Sequence, residues 1–314
     1  LSFLLTNVAE KYFNALEAQD SLTSIASELE AVKNQLKQIE QLYNRQLAQI
    51  TDLYQAQASV AEIESQQIQL QSQLAQQYES LRSISGIAVG ELNLLDSDVV
   101  IPPVEENLHY WITSAEAQNH LIRSKELAAE EAGKAISQEK GAYLPKVSLI
   151  VQRQDSDVGF DNRPLDRSDN TFFGVDVSIP LYAGGGNLAR VREAESMEAI
   201  ALSELKQATL EVTEKVRAAY LQVKASNSII SAAKKLVEST ELNATAMQRG
   251  FELGAVTSVE VLAALRDQYR AERDLQRVTY EYIKYLLLLK RETGTLTPND
   301  LSEISGWLSP SKQK

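Results

Sequence analysis

Little in these 314 residues is suited to covalent chemistry. Cysteine is absent, so thiolate metal binding and thiol redox chemistry are excluded, and an oxidising compartment is allowed but not shown. The two histidines, His109 and His120, are eleven positions apart and do not share a helix face at metal-ligand spacing. Gly184-Gly185-Gly186 follows an alternating stretch and precedes a helical one, but it lacks the Lys-Ser/Thr continuation of a phosphate loop. These glycines read as the bend between the two. No Ser–His arrangement or paired catalytic carboxylates appear. The acidic residues that stand out are Asp52 and Glu260, at equivalent places in two similar halves. Carboxylates gathered a few ångströms apart raise one another's pKa and favour cations. A lone acid early in a helix has a simpler use, since it complements the helix dipole.

What positions them is an internal repeat. Tyr12 and Tyr220, Tyr43 and Phe251, Asp52 and Glu260, Leu53 and Val261, and Gly86 and Gly294 are each 208 residues apart, without gaps over residues 8–86. In the first copy Leu22, Ile25, Leu29, Val32, Leu36, Ile39 and Tyr43 alternate steps of three and four, a heptad seam on one helix stripe. The second copy repeats it with Ile230, Ala233, Val237, Thr240, Ala244, Met247 and Phe251. Leu53, Ala56, Val60, Ile63, Gln67 and Leu70 restart the seam. Each copy is therefore expected to be two antiparallel helices, joined near residues 44–51 and 252–259. From Asn187 to Gly250 no Pro or Gly interrupts the pattern, enough for a rod of roughly 95 Å. The first copy has no equivalent of its earliest turns, so Leu1 is expected to fall inside a helix.

Residues 143–182 break this pattern with period two. Val147, Leu149 and Val151 share one face of a first strand. Phe173, Val175, Val177, Ile179 and Leu181 share one face of a second, alternating with Gly174, Asp176 and Ser178. Tyr143 with Tyr182, and Phe172 with Phe173, would mark the two interfaces of a membrane segment. The loop from Asp155 to Asn170 carries five Asp and two Arg. Such a hairpin cannot close its own edges in lipid and would join strands from other chains. A water-soluble hairpin packed on its own helices remains open from alternation alone. No run of about 18 apolar residues exists, so no transmembrane helix is expected, and no signal peptide is visible. The net charge of −12, from 43 acidic and 31 basic residues, argues against a nucleic-acid partner.

The sequence resembles the TolC-type outer-membrane factor family across nearly its whole length. The resemblance is carried by Val8-Ala-Glu-Lys-Tyr-Phe-Asn-Ala-Leu16, Ile50-Thr-Asp52, Tyr143-Leu-Pro-Lys-Val147 and Ile179-Pro-Leu-Tyr-Ala-Gly-Gly185. Gly250-Phe-Glu-Leu-Gly-Ala255 and Val259-Glu-Val-Leu262 complete it. Each segment is weak alone; their order and spacing are specific. It implies a homotrimer whose long antiparallel coiled-coil helices form an α-barrel across the periplasm, below a shared transmembrane β-barrel in outer-membrane lipid. A periplasmic adaptor and an inner-membrane RND or ABC transporter would dock at the tapered end, and no cofactor is implied. The first β-hairpin of the family would lie upstream of Leu1.

The resemblance also implies roles for residues. Asp52 and Glu260 would ring a pore aperture, with Ala263 standing where the family has a second acid. Tyr43 and Phe251 would be gate aromatics, or else ordinary seam residues. Arg45, Gln46 and Leu47 in one turn, and Gly254, Ala255 and Val256 in the other, would meet the adaptor. Gln46 in place of a glycine predicts a different geometry for the first turn. Val256 replaces an expected basic partner, for which Arg45 could substitute. The expected fold is mainly α with a membrane β-hairpin: a helical hairpin at 1–85, a linker at 86–106 and an equatorial helical segment at 107–142. The β-hairpin at 143–182, a second helical hairpin at 183–293 and a tail at 294–314 follow. The function expected is a passive exit duct for efflux or type I secretion, not an enzyme. The rival is a coiled-coil scaffold without a pore.

Overall fold

The computed structural model describes residues 2–87, 90, 92–95, 101–104, 106–156 and 168–309. In chain order the elements are α1 (Ser2–Asn44), α2 (Ile50–Ser85), β1 (Leu94–Leu95), α3 (Leu108–Gln118) and α4 (His120–Lys140). A 3-10 turn (Gly141–Tyr143), β2 (Lys146–Ser156), β3 (Ser168–Ser178), α5 (Gly186–Glu252), α6 (Ser258–Thr293), α7 (Pro298–Ser305) and β4 (Leu308–Ser309) follow. No helix among the described residues is long and apolar enough to cross a membrane. Helix ends recur at the repeat's offset: Asn44 and Glu252, Ile50 and Ser258, and Ser85 and Thr293 are each 208 residues apart. Both second helices stop at a left-handed glycine, Gly86 at φ 69° and Gly294 at φ 79°.

The chain divides into two compact units, residues 1–119 with 212–314, and residues 120–211. In the first, the heptad seams meet in one apolar cluster. Ile25, Leu29, Val32 and Ile39 of α1 pack with Ala56, Val60 and Ile63 of α2, Ala244 of α5, and Val261, Leu262 and Leu265 of α6. A second cluster gathers Phe13 and Leu16 of α1, Leu81 of α2, Tyr280, Ile283 and Leu287 of α6, and Ile304 of α7. The expected tail therefore contains structure: α7 packs into this cluster, and β4 pairs antiparallel with β1 from the expected linker, Leu94 opposite Ser309. The equatorial segment is two helices rather than one, because Asn119 leaves helical geometry. Its Nδ2 donates to the Glu292 carbonyl at 2.7 Å, fixing this break against the end of α6. Gly294 lies so close that a Cβ there would meet the Gln118 carbonyl at 2.5 Å. Trp111 of α3 is buried, while its neighbour Tyr110 is half exposed.

In the second unit α4 runs antiparallel to the start of α5, with Lys125 to Glu204 at 2.7 Å and Arg190 to Glu139 at 3.5 Å. The antiparallel ribbon pairs Val147 with Val177, Leu149 with Val175 and Val151 with Phe173, which puts all six on one face. The other face carries Ser148 with Asp176, Ile150 with Gly174 and Gln152 with Phe172. Phe172 and Phe173 thus point to opposite faces. The Phe172 ring covers Gly174, where a Cβ would meet it at 2.6 Å. Ile179 and Leu181 lie beyond the end of β3, and Tyr143 lies in the 3-10 turn, so these expected strand residues are outside the ladder. Most of the expected acidic loop, 157–167, lies outside the described residues.

Candidate functional site

Two helix reversals, between α1 and α2 and between α5 and α6, form the site. Each closes with the same pair of backbone bonds, as a helix whose last carbonyls fold back on a left-handed residue. In the first, Leu47 N donates to Leu42 O at 2.8 Å and Gln46 N to Tyr43 O at 2.8 Å. In the second, Ala255 N donates to Gly250 O at 2.8 Å and Gly254 N to Phe251 O at 3.0 Å. The left-handed residue is Gln46 at φ 61° and Gly254 at φ 70°. The expectation of a different first turn therefore fails. The two closing bonds hold Gln46 in a conformation that a side chain disfavours by about 1–2 kcal/mol.

The helices then restart with reciprocal caps. Glu260 Oε2 accepts from Thr257 N at 2.7 Å and from Thr257 Oγ1 at 2.9 Å, and Glu260 N donates to Thr257 Oγ1 at 3.4 Å. The N–H and the hydroxyl of Thr257 lower the Glu260 pKa below the ordinary glutamate value. Asp52 Oδ2 occupies the corresponding place, accepting from Gln49 N at 3.4 Å. In the single chain, then, the helix-start reading of these acids holds, and Glu260 is shifted down rather than up. Glu260 is exposed and Asp52 half-buried. Both lie at one end of the unit: Leu53 and Val261, next to them in sequence, belong to the same apolar cluster. The pair Arg266 to Glu62, at 3.1 Å, sets α2 beside α6.

The flanking residues divide by exposure. Phe251 and Val256 pack onto the apolar cluster, Val256 within 3.1 Å of a Cβ built at Gly250. Tyr43 is half-buried. Arg45, Gln46, Gly254 and Ala255 are exposed, as are Leu47 and, at 84%, Leu253. Arg45 has no ion pair among the described residues.

Apolar periodicity missed the polar joint between the two copies. Arg273 Nη1 of α6 meets Glu28 Oε2 of α1 at 2.6 Å, with the Glu28 side chain 2% and Arg273 21% exposed. Further along, Tyr280 donates to Asp20, and Lys284 Nζ donates to Asn14 Oδ1 at 2.9 Å. Burial raises the Asp20 pKa, although the Tyr280 hydrogen bond opposes the shift. The signal was a second stripe on α1: Asn14, Glu17, Ser21, Ser24 and Glu28 also step by three and four, but in polar residues. Ser24 Oγ, Gln35 Nε2, Ser258 Oγ and Gln276 Oε1 are buried without a hydrogen-bond partner among the described residues.

The apolar face of the ribbon is the second candidate surface. Val147, Leu149, Val151, Phe173, Val175 and Val177 are 57–75% exposed, as an uncovered apolar patch. Among the described residues no group of His, Cys, Asp and Glu is arranged to hold a metal ion.

The family model for outer membrane efflux protein matches residues 3–87 and 111–295. The chain is 30% identical to outer membrane protein TolC of Vibrio cholerae serotype O1, over 99% of its own length and 72% of that protein. It is 28% identical to outer membrane protein TolC of Escherichia coli K12, over 98% of its own length and 64% of that protein. Among solved structures the CusC channel is similar in fold, with a TM-score of 0.79 and 22% identity, covering 93% of this chain and 68% of that one.

Proposed function

The chain belongs to the outer membrane efflux protein family, and from that premise we propose that it is one subunit of a passive exit duct. The duct sits in the outer membrane with its helical part in the periplasm, and serves efflux or type I secretion. It works as a homotrimer with a periplasmic adaptor and an inner-membrane RND or ABC transporter, and does no covalent chemistry itself. The observation that carries this is the pair of matched turns at one end of one unit, each followed by a capping acid. In a trimer Asp52 and Glu260 supply six carboxylates to one aperture, while exposed Leu47 and Leu253 with Arg45, Gln46, Gly254 and Ala255 offer the adaptor a surface. Glu260 spends Oε2 on its cap and keeps Oε1 for the aperture. The apolar face of the ribbon, with Ile179 and Leu181 beyond it, faces lipid.

The test is single-channel recording of the intact duct in planar bilayers. Asp52→Ala with Glu260→Ala is expected to alter conductance and relieve block by polyvalent cations. Unchanged currents remove both acids from the pore. A full-length protein that is monodisperse without detergent and conducts nothing would favour the scaffold instead.

A further inference from the structure

The ribbon β2–β3 is longer than its apolar face. Along that face the rungs Val147–Val177, Leu149–Val175 and Val151–Phe173 are followed by Arg153–Thr171 and then Asp155–Asp169. The change is abrupt and chemically specific. Arg153 Nε donates to Asp169 Oδ1 at 3.2 Å and Nη2 to Oδ2 at 2.6 Å, a bidentate ion pair on the side of the ribbon that carries the valines. At 69% and 48% side-chain exposure, neither group is buried by the chain itself.

We infer that the outer boundary of the bilayer lies at the Arg153–Asp169 pair, so that the distal end of the ribbon stands clear of the lipid in water. This rests on the lipid-facing reading above. The three apolar rungs span about 13 Å of strand at about 3.3 Å per residue, short of the roughly 25 Å band of a transmembrane barrel. The remainder of the band cannot come from the loop side, because the next two rungs are polar. It comes from the helical side, where Leu144, Ile179, Leu181 and Tyr182 are all exposed beyond the ladder. The lipid belt is therefore displaced from the β-ladder towards the helices. An arginine on the lipid face is costly at the bilayer midplane and nearly free at the interface. Arg153 commits one edge of its guanidinium to Asp169 and keeps its other N–H groups for a headgroup phosphate. The occupant of the surface is thus a phosphate-bearing membrane lipid, with acyl chains on the valine rungs and a phosphate at Arg153.

These 314 residues contain no cysteine, so a cysteine introduced among them is their sole thiol, and any cysteine elsewhere in the intact duct is first replaced by serine. Leu149→Cys, Val151→Cys, Thr171→Cys and Asp155→Cys are made one at a time in the intact duct, in phosphatidylcholine–phosphatidylglycerol liposomes. Each is treated with a charged maleimide. Positions 149 and 151 are expected to react at least about tenfold more slowly than 171 and 155, because an ionised reagent is disfavoured in hydrocarbon. Protection of 171 and 155 equal to that of 151 overturns the boundary while leaving the lipid-facing reading intact. Rapid labelling at all four positions overturns both. Arg153→Leu with Asp169→Leu, added to Thr171→Cys, is expected to carry position 171 into the protected set. An unchanged rate there refutes the role of the pair.

Discussion

Removing Arg273 tests how the two copies are joined. Its guanidinium pairs with Glu28, whose side chain is 2% exposed. Arg273→Met keeps most of the apolar bulk and strips the charge, leaving a buried carboxylate without its counterion. Breaking a buried pair from one side costs about 3–5 kcal/mol. Arg273 is 21% exposed, so water partly reaches the pair, and the expected loss is at the lower end, about 3 kcal/mol. Adding Glu28→Leu should restore most of it, since a buried pair replaced by apolar groups of similar size is often neutral or better. The assay is urea unfolding of the intact protein in detergent, followed by helical circular dichroism, with the two single variants and the double one forming a cycle. A loss below about 1 kcal/mol for Arg273→Met would place the pair among surface ion pairs. A double variant no better than the worse single one would mean that packing, rather than charge, makes the joint. Either result refutes the reasoning.

Four other outcomes follow. Gln46→Gly is expected to stabilise the protein by about 0.5–1 kcal/mol, by relieving the left-handed side chain at φ 61°; urea midpoints check it. Gly294→Ala should be destabilising by more than about 2 kcal/mol, because strain at φ 79° adds to a clash with the Gln118 carbonyl, and unchanged thermal unfolding would contradict it. Thr257→Ala should cost about 1 kcal/mol and leave Glu260 without its capping hydroxyl, seen as a rise in the Glu260 pKa by carboxylate NMR. The Asp20 pKa is raised, so the folded state holds that proton more tightly than the unfolded one. Stability from this group is full below the ordinary aspartate value of 3.8 and is lost as pH rises through the folded value. Asp20→Asn is expected to flatten that slope, measured as urea midpoint against pH.

Much of the first copy was legible because a heptad seam announces itself in large apolar residues. Leu22, Ile25, Leu29, Val32, Leu36 and Ile39 all enter one cluster. The second copy was harder, since Ala233 and Thr240 mark its seam only through comparison with the first. The joint between α1 and α6 was not legible to that method, because Glu28, Ser24 and Asn14 recur at coiled-coil spacing without apolar content. The first turn misled for a different reason. Residue preference points to glycine at a left-handed position, yet two backbone bonds across the turn hold Gln46 there. The pairing of β1 with β4 joins segments more than 200 residues apart through two rungs, too few for any periodicity to register. The acids at 52 and 260 stand out as a pair through the repeat, while their bonding to Gln49 and Thr257 depends on the backbone path of each turn, which residue pattern does not carry.

Equal helix lengths in the two copies carry an engineering constraint. α2 and α6 are both 36 residues long and lie side by side through Glu62 and Arg266. Shortening one alone by a single winding would lift its reversal about 5.4 Å out of level with the other. Any graft that changes the reach of this protein must therefore trim or extend four strokes of helix together, two going down and two coming back.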